Sequence, residues 1–297
     1  MCSGENKRAN QNGDCEGTNC PRNHQKRTPK ARLHKVPQAL TEGDEGWRMN
    51  VYFVTIGIRS EMDIIKKVRP KHILCSYWYF SKKPMADFVS AIGYHPDILL
   101  DSGAYSAYAK KKEININEYM KYILNNQDYI SRYISLDVIG DVEQTKKNYM
   151  AMRECGLNPI PVVHYGEPAD DVGLYESLGA DTIALGNTVG IRDKDIVSKW
   201  CAELHKNYPN VNLHLLGSSS KKILEGNALS SCDSSAWYMM AVNGKPKTIP
   251  GKTREAKKAR AEANMLNIME VFNESPIPFD NCDIKCSNGN VQSPCLV

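Results

Sequence analysis

Three carboxylates in this sequence each lie at the end of a short apolar run: Asp101 in DILLDSGAYSAY (97–108), Asp137 in RYISLDV (132–138) and Asp233 in LSSCDSS (229–235). His164 lies near the end of a further run, PIPVVHY (159–165), Gly186-Asn187 end DTIALGN (181–187), and Gly217 ends VNLHLLG (211–217). Carboxylates gathered in one place suit catalysis, because a carboxylate can serve as nucleophile or as a group that cycles between acid and base. A lone Asp after a strand is ordinarily a helix cap or turn former, and Asp141, after DVIG and before a helical pattern, is read that way. Three carboxylates at three strand ends are read instead as one site.

The elements that must position them follow from periodicity. From Met49 onward, eight short apolar runs alternate with amphipathic stretches; the first two are VYFVTIG (51–57) and HILCSYW (72–78). Helical patterns fall at 115–128, at 141–156 with Val142, Tyr149 and Met152 on one side, at 168–178 and at 192–207. Strands separated by helices imply parallel pairing with crossovers, and eight repeats predict a closed α/β fold, the (β/α)8 TIM barrel. An open doubly wound sheet is disfavoured because no glycine-rich dinucleotide fingerprint follows the first strand. In such a barrel the carboxyl ends of the strands converge on one mouth. The predicted organisation is a disordered basic arm at 1–48, the barrel at 49–240, a basic helical extension at 241–275 packed on the barrel, and a flexible cysteine-containing tail at 276–297. Within the extension a helix is expected at 253–272, with Ala259, Ala263, Leu266, Ile268, Met269 and Phe272 covering the barrel's side.

Five segments in register resemble the tRNA-guanine transglycosylase (queuine tRNA-ribosyltransferase) superfamily over about residues 50–240. DSGAYS resembles its DSGGFQ, VVHYGE its strand-five VQGG region, IALGN its LAVGE, and HLLGSSS with SSCDSS its YLMGVG and FD pair. LDSGAYS, VVHYGE and CDSSAW look closer still to the phage and bacterial branch that inserts 7-deazaguanines into DNA. The resemblance implies exchange of guanine in a polynucleotide, with DNA favoured, for a 7-deazaguanine base through a covalent glycosyl-enzyme. It makes Asp233 the nucleophile and Asp101 the proton carrier, with Ser102 and its small neighbours leaving room for a planar base. It assigns base reading to Asp137, the position of a family Gln to His164 and a backbone contact to Gly186; Tyr105, a ring just past the strand, is read as able to stack on the base. Other readings are action on tRNA, a barrel glycosidase, and a non-catalytic nucleic-acid-binding subunit.

Charge and cysteine usage bound the partners. Net charge is +4 with 41% hydrophobic residues, and no apolar run is long enough to span a membrane, so no membrane partner is expected. The run GKPKTIPGKTREAKKAR brings together Lys245, Lys247, Lys252, Arg254, Lys257, Lys258 and Arg260, for which phosphates are the natural partner. Its GKT is not a phosphate loop, because Pro246 stands where that motif needs its first glycine. Several of the ten cysteines (Cys75, Cys155, Cys201, Cys232) lie in apolar segments, which points to thiols in a reducing cytoplasm, a host's if the chain is phage-encoded. Cys15, Cys20 and His24 make at most half a zinc site. Cys282, Cys286 and Cys295, with no His after His214, depart from the family's Cys-x-Cys-x-x-Cys and His. No cofactor is therefore expected, with zinc left open as the one candidate although the family's ligand pattern is absent.

Overall fold

The computed structural model describes residues 49–224 and 228–278. The basic arm at 1–48 and Cys282, Cys286 and Cys295 lie outside the described residues. The elements run β1 (Asn50–Thr55), α1 (Arg59–Val68), β2 (His72–Ser76), α2 (Tyr77–Phe80), α3 (Met85–Ile92), β3 (Asp97–Asp101), α4 (Ala104–Ala109), α5 (Ile116–Asn125) and β4 (Arg132–Tyr133). They continue with α6 (Val142–Glu154), β5 (Val162–His164), α7 (Asp170–Ser177), β6 (Thr182–Gly186), α8 (Lys194–Asn207), β7 (Asn212–Leu215), α9 (Lys221–Leu224), β8 (Ser231–Ser234), α10 (Ala236–Val242) and α11 (Arg254–Val271).

All eight strands pair in parallel, in the order β4-β3-β2-β1-β8-β7-β6-β5. The two ends of this sheet meet at one bridge, Ile134 to Ile160, where Ser135 N donates to Ile160 O and Ile160 N to Tyr133 O, each at 2.8 Å. The fold is thus the (β/α)8 barrel. Its seam is narrow for a reason visible in PIPVVHY: Pro159 and Pro161 carry no N–H, so β5 begins only at Val162 and Ile160 alone can pair toward β4.

Alternation along the strands divides the core in two. Tyr52, Leu74, Leu99, Ile134, Ile160, Val162 and Ala184 fill the barrel. Their neighbours Val51, Phe53, Ile73, Ile98, Leu100, Val163, Ile183 and Leu213 face the helices. With a period of two, Asp101 and His164 share the inward parity of Leu99 and Val162, and Gly186 that of Ala184.

Two strand expectations are corrected. HILCSYW ends as a strand at Ser76, because Tyr77–Phe80 turns into α2 and buries Tyr77 and Phe80. RYISLDV is a strand only at Arg132–Tyr133; beyond it the backbone is held by side chains of α6, with Thr145 Oγ1 accepting from Val138 N at 2.9 Å and Asn148 Nδ2 donating to Leu136 O at 2.9 Å. Asp137 therefore sits in a loop past the strand rather than on its last residue. Asp141 caps α6 as expected, accepting from Gln144 N.

The extension forms α11, and its packed face is the expected one only in part: Met269 is buried and Ile268 and Phe272 pack against the core. Ala259 and Leu266 are exposed, and the buried stripe is Arg260, Ala261, Asn264, Met265 and Met269. The polar members of that stripe explain the shift. Arg260, 5% exposed, donates to the carbonyls of Ala241, Ile249 and Gly251, and Asn264 Nδ2 to those of Trp237 and Lys245. They satisfy backbone groups at the end of α10 and in the loop after it. Beyond α11 the chain crosses the bottom of the barrel. Glu274 Oε1 accepts from Val51 N at 3.0 Å and contacts His72 Nδ1 at 2.8 Å. Residues 276–278, assigned from sequence to the tail, are tied down as well: Ile277 N donates to Arg69 O, and the Arg69 guanidinium to Ile277 O and Pro278 O.

Arg260→Ala strands the buried Ala241 carbonyl and removes the part-buried bonds to Ile249 O and Gly251 O, and a stability loss of about 2 kcal/mol is expected. It is measured as a fall in the urea midpoint at an unchanged m-value.

Candidate active site

At the carboxyl end of β3 the chain must turn sharply. Asp101 Oδ2 accepts from Gly103 N at 2.9 Å, a local Asx-type turn. Gly103 has φ 82°, and a Cβ there would lie 2.6 Å from Trp78 Cβ and 2.9 Å from Ser76 Oγ. Only glycine fits between β3 and the start of α2. So the DSG triplet makes a tight turn that leaves Asp101 at the top of the barrel interior, paired in register with Ser76.

Ser102, fully buried, donates from Oγ to Asp137 Oδ1 at 3.0 Å and accepts from Ala104 N. The other oxygen of Asp137 meets His164 Nε2 at 3.3 Å. On the far side of the imidazole, His164 Nδ1 contacts Glu167 Oε1 at 2.8 Å, while Glu167 Oε2 accepts from His164 N at 2.9 Å. The result is a continuous chain, Ser102–Asp137–His164–Glu167. Burial opposes a charge on His164, but the hydrogen bonds and charges of Asp137 and Glu167 outweigh it and push its pKa up to about 9. Burial likewise works against ionised Glu167, yet the His164 ring and N–H hold its carboxyl below the ordinary range. At neutral pH His164 is an imidazolium beside the Glu167 carboxylate.

Gly186 leaves the space for that ring. A Cβ on it would stand 2.6 Å from His164 Cδ2. Its carbonyl accepts from Tyr165 N at 3.0 Å.

Asp233, 5% exposed, is held from below by a different set of groups. Its Oδ2 accepts from Gly217 N at 3.0 Å and meets His214 Nε2 at 3.3 Å. His214 is fixed in turn by Ser231 Oγ, 2.8 Å from Nδ1. Both contacts fall on Oδ2 and orient the carboxyl group from that side. Asp101 experiences the whole cluster: burial first, then the charges of Asp137 and Asp233, push its pKa from 3.8 up to about 7, against the smaller pull of Gly103 N–H and Ser76. One of three neighbouring carboxyl groups thus exchanges a proton near neutrality while a second is held by a backbone N–H. That is the division of labour a two-carboxylate reaction needs.

The structure therefore brings together Asp101, Ser102, Asp137, His164, Gly186 and Asp233. It does not bring Tyr105 into this cluster: Tyr105 lies on α4 just outside it, 70% exposed. The basic run is also divided. Lys245, Lys247, Lys252 and Arg254 are exposed. Lys258 Nζ pairs with Asp63 Oδ2 at 2.5 Å, Lys257 Nζ lies 5.1 Å above the Tyr238 ring, and Arg260 is the buried tie described above. Because Glu274 marks the bottom of the barrel and α11 rises about 27 Å over its 18 residues, Lys252 and Arg254 stand at the level of the mouth. Glu167, His214 and Ser231 went unassigned in the sequence. The E of VVHYGE was the only local signal for Glu167, and the inward parity of His214 with Leu216 was the signal for that pair.

Among the described residues no group of three or more His, Cys, Asp or Glu side chains is placed to hold a metal ion. Cys75, Cys201 and Cys232 are buried thiols, and burial raises the pKa of each. No helix among the described residues is long and apolar enough to cross a membrane.

No protein-family model matches the chain, and no curated protein does. Solved structures match over most of its length. A Coccidioides immitis protein described as a fructose-1,6-biphosphate aldolase aligns at 13% identity over 77% of this chain and 90% of its own, with a TM-score of 0.50. The YdjI aldolase of Escherichia coli K12 aligns at 12% identity over 77% and 92%, with a TM-score of 0.49. A mutant tryptophan synthase alpha-subunit of Pyrococcus furiosus aligns at 10% identity over 73% and 97%, with a TM-score of 0.47. At these identities the likeness establishes the barrel fold alone.

Asp101→Asn tests the electrostatics. A carboxyl group whose folded pKa lies above its unfolded value binds protons more tightly when folded. Its contribution is therefore present at low pH and lost as pH rises toward and through about 7. The variant retains the bond to Gly103 N and loses this titration. Its melting temperature should match the wild type near pH 4 and exceed it by roughly 5 °C at pH 8, as followed by calorimetry across that range.

Proposed function

We propose that this protein is an enzyme of base exchange, replacing guanine in a polynucleotide, with DNA favoured, by a 7-deazaguanine through a covalent glycosyl-enzyme. The observation that carries this reading is the unequal environment of two carboxyl groups at one barrel mouth. Asp233 is oriented by Gly217 N–H and His214, whereas Asp101 is held near neutral titration by burial and by Asp137 and Asp233.

In the first half-reaction a carboxylate oxygen of Asp233 attacks the anomeric carbon. The C–N bond breaks with its electron pair going to the base nitrogen, and that nitrogen takes the proton of Asp101. In the second half, ionised Asp101 removes the ring N–H proton of the incoming base. Its nitrogen lone pair displaces Asp233 from the sugar, and the proton count is restored. A direct swap would need both bases in one place, and the covalent intermediate avoids this. Asp137, held by Ser102 and the His164 imidazolium, is suited to accept the ring N–H and amino donors of a guanine edge in a pair. The target base must leave its stack to reach this depth.

Purified protein incubated with labelled guanine and either duplex DNA or tRNA is expected to label DNA. Label entering tRNA alone would move the substrate to RNA, and label in neither would overturn base exchange. Asp233→Asn is expected to abolish a denaturation-resistant adduct between protein and polynucleotide without lowering the melting temperature. An adduct of undiminished yield would remove Asp233 as the nucleophile.

A further inference from the structure

We propose that Trp78, Tyr105, Tyr108 and the lysine turn 110–112 form a binding surface for single-stranded DNA beside the barrel mouth, which rests on the base-exchange reading above. α4 starts three residues after Asp101, so this surface begins where the pocket ends. Ala104 and Ala107 face inward and are buried, while Tyr105 and Tyr108, one turn apart on the outer side, are 70% and 62% exposed. No other large apolar side chain among the described residues is as exposed as these two.

The charge next to them is fixed in place. Lys110 Nζ lies 5.5 Å over the Trp78 ring and 5.7 Å from the centre of the Tyr79 ring. Lys111 takes φ 52°, and the bonds Lys111 N to Tyr108 O and Lys112 N to Ala107 O, both 2.9 Å, close the turn. Three ammonium groups thus leave one rigid turn at the end of α4, with Glu113 as the adjacent acid. A solvated lysine turn would account for the charge but not for two exposed tyrosines. A protein partner would account for the tyrosines but is poorly matched to three lysines, which interfaces deplete. Stacking rings beside a phosphate-tracking positive edge match an unpaired strand, in which every base offers a π-face. Extrusion of a target base leaves its neighbours unstacked, and the rings are placed to receive them.

The test is fluorescence anisotropy of a labelled single-stranded DNA of about 12 nucleotides with the full chain at several salt concentrations. Binding of free guanine is followed in parallel by calorimetry. Tyr108→Ala should weaken strand binding about 10-fold or more, and Tyr108→Phe, which keeps the ring, should restore it. Reversing Lys110, Lys111 and Lys112 to Glu should lower the slope of log affinity against log salt by about two units. Guanine binding should not change in either variant. A wild-type chain that binds no single strand, or variants with unchanged affinity and slope, would overturn the surface. The two proposals separate cleanly: strand binding lost in the variants of a protein that exchanges no guanine keeps the surface and removes base exchange, whereas exchange with strand binding unaffected does the reverse.

Discussion

The barrel must hold three neighbouring carboxyl groups at its mouth without letting their repulsion open the fold. Three ionised carboxylates in a water-poor site would be prohibitive, and each is relieved in its own way. Asp137 has the His164 imidazolium and a hydroxyl, Asp233 has a backbone N–H and a histidine nitrogen, and Asp101 keeps its proton until pH is near neutral. The arrangement that makes the cluster tolerable also makes it chemically asymmetric. A carboxyl group titrating near neutrality and an oriented carboxyl group are consequences of one electrostatic problem.

That problem is solved by groups from six strands and the loops that follow them, so it depends on closure of the barrel. Closure itself is economical, with one backbone bridge between β4 and β5 limited by two prolines. The opposite side is reinforced. α11 covers α1 and α10, its buried Arg260 and Asn264 collect orphan carbonyls, and Glu274 and Ile277 fasten the chain beneath β1 and β2. These ties flank β8 and β1, the pair on which Asp233 and its neighbour in register, Tyr52, sit. They hold rigid the two strands that place the Asp233 carboxyl group at the mouth.

The surface divides according to distance from the pocket. Three of the seven cations in the basic run are spent on the fold: Lys258 on Asp63, Lys257 on Tyr238 and Arg260 on carbonyls. Among the exposed cations, Lys252 and Arg254 at the start of α11 and the lysine turn after α4 stand at two places around the mouth. The mouth thus carries positive charge on two sides.

Alternation alone determined the barrel, because a period of two separated by a period near 3.6 leaves few ways to bury both faces of a strand. It also determined which residues reach the mouth: Asp101, His164, Gly186 and Asp233 are legible as the inward-facing ends of apolar runs. Sequence could not give the partners. Glu167 and Ser102 reveal their role only once His164 and Asp137 lie between them, and His214 only once β7 stands beside β8. The part of the α11 face that differs has the same origin. Met269, Ile268 and Phe272 pack as expected, but carbonyls on α10 and the loop after it draw a buried arginine and asparagine into the packed face as well. Periodicity records which atoms avoid water, and that is a property of each segment by itself. Hydrogen-bond partners and shifted proton affinities belong to pairs distant in the chain, so only the closed tertiary structure decided them.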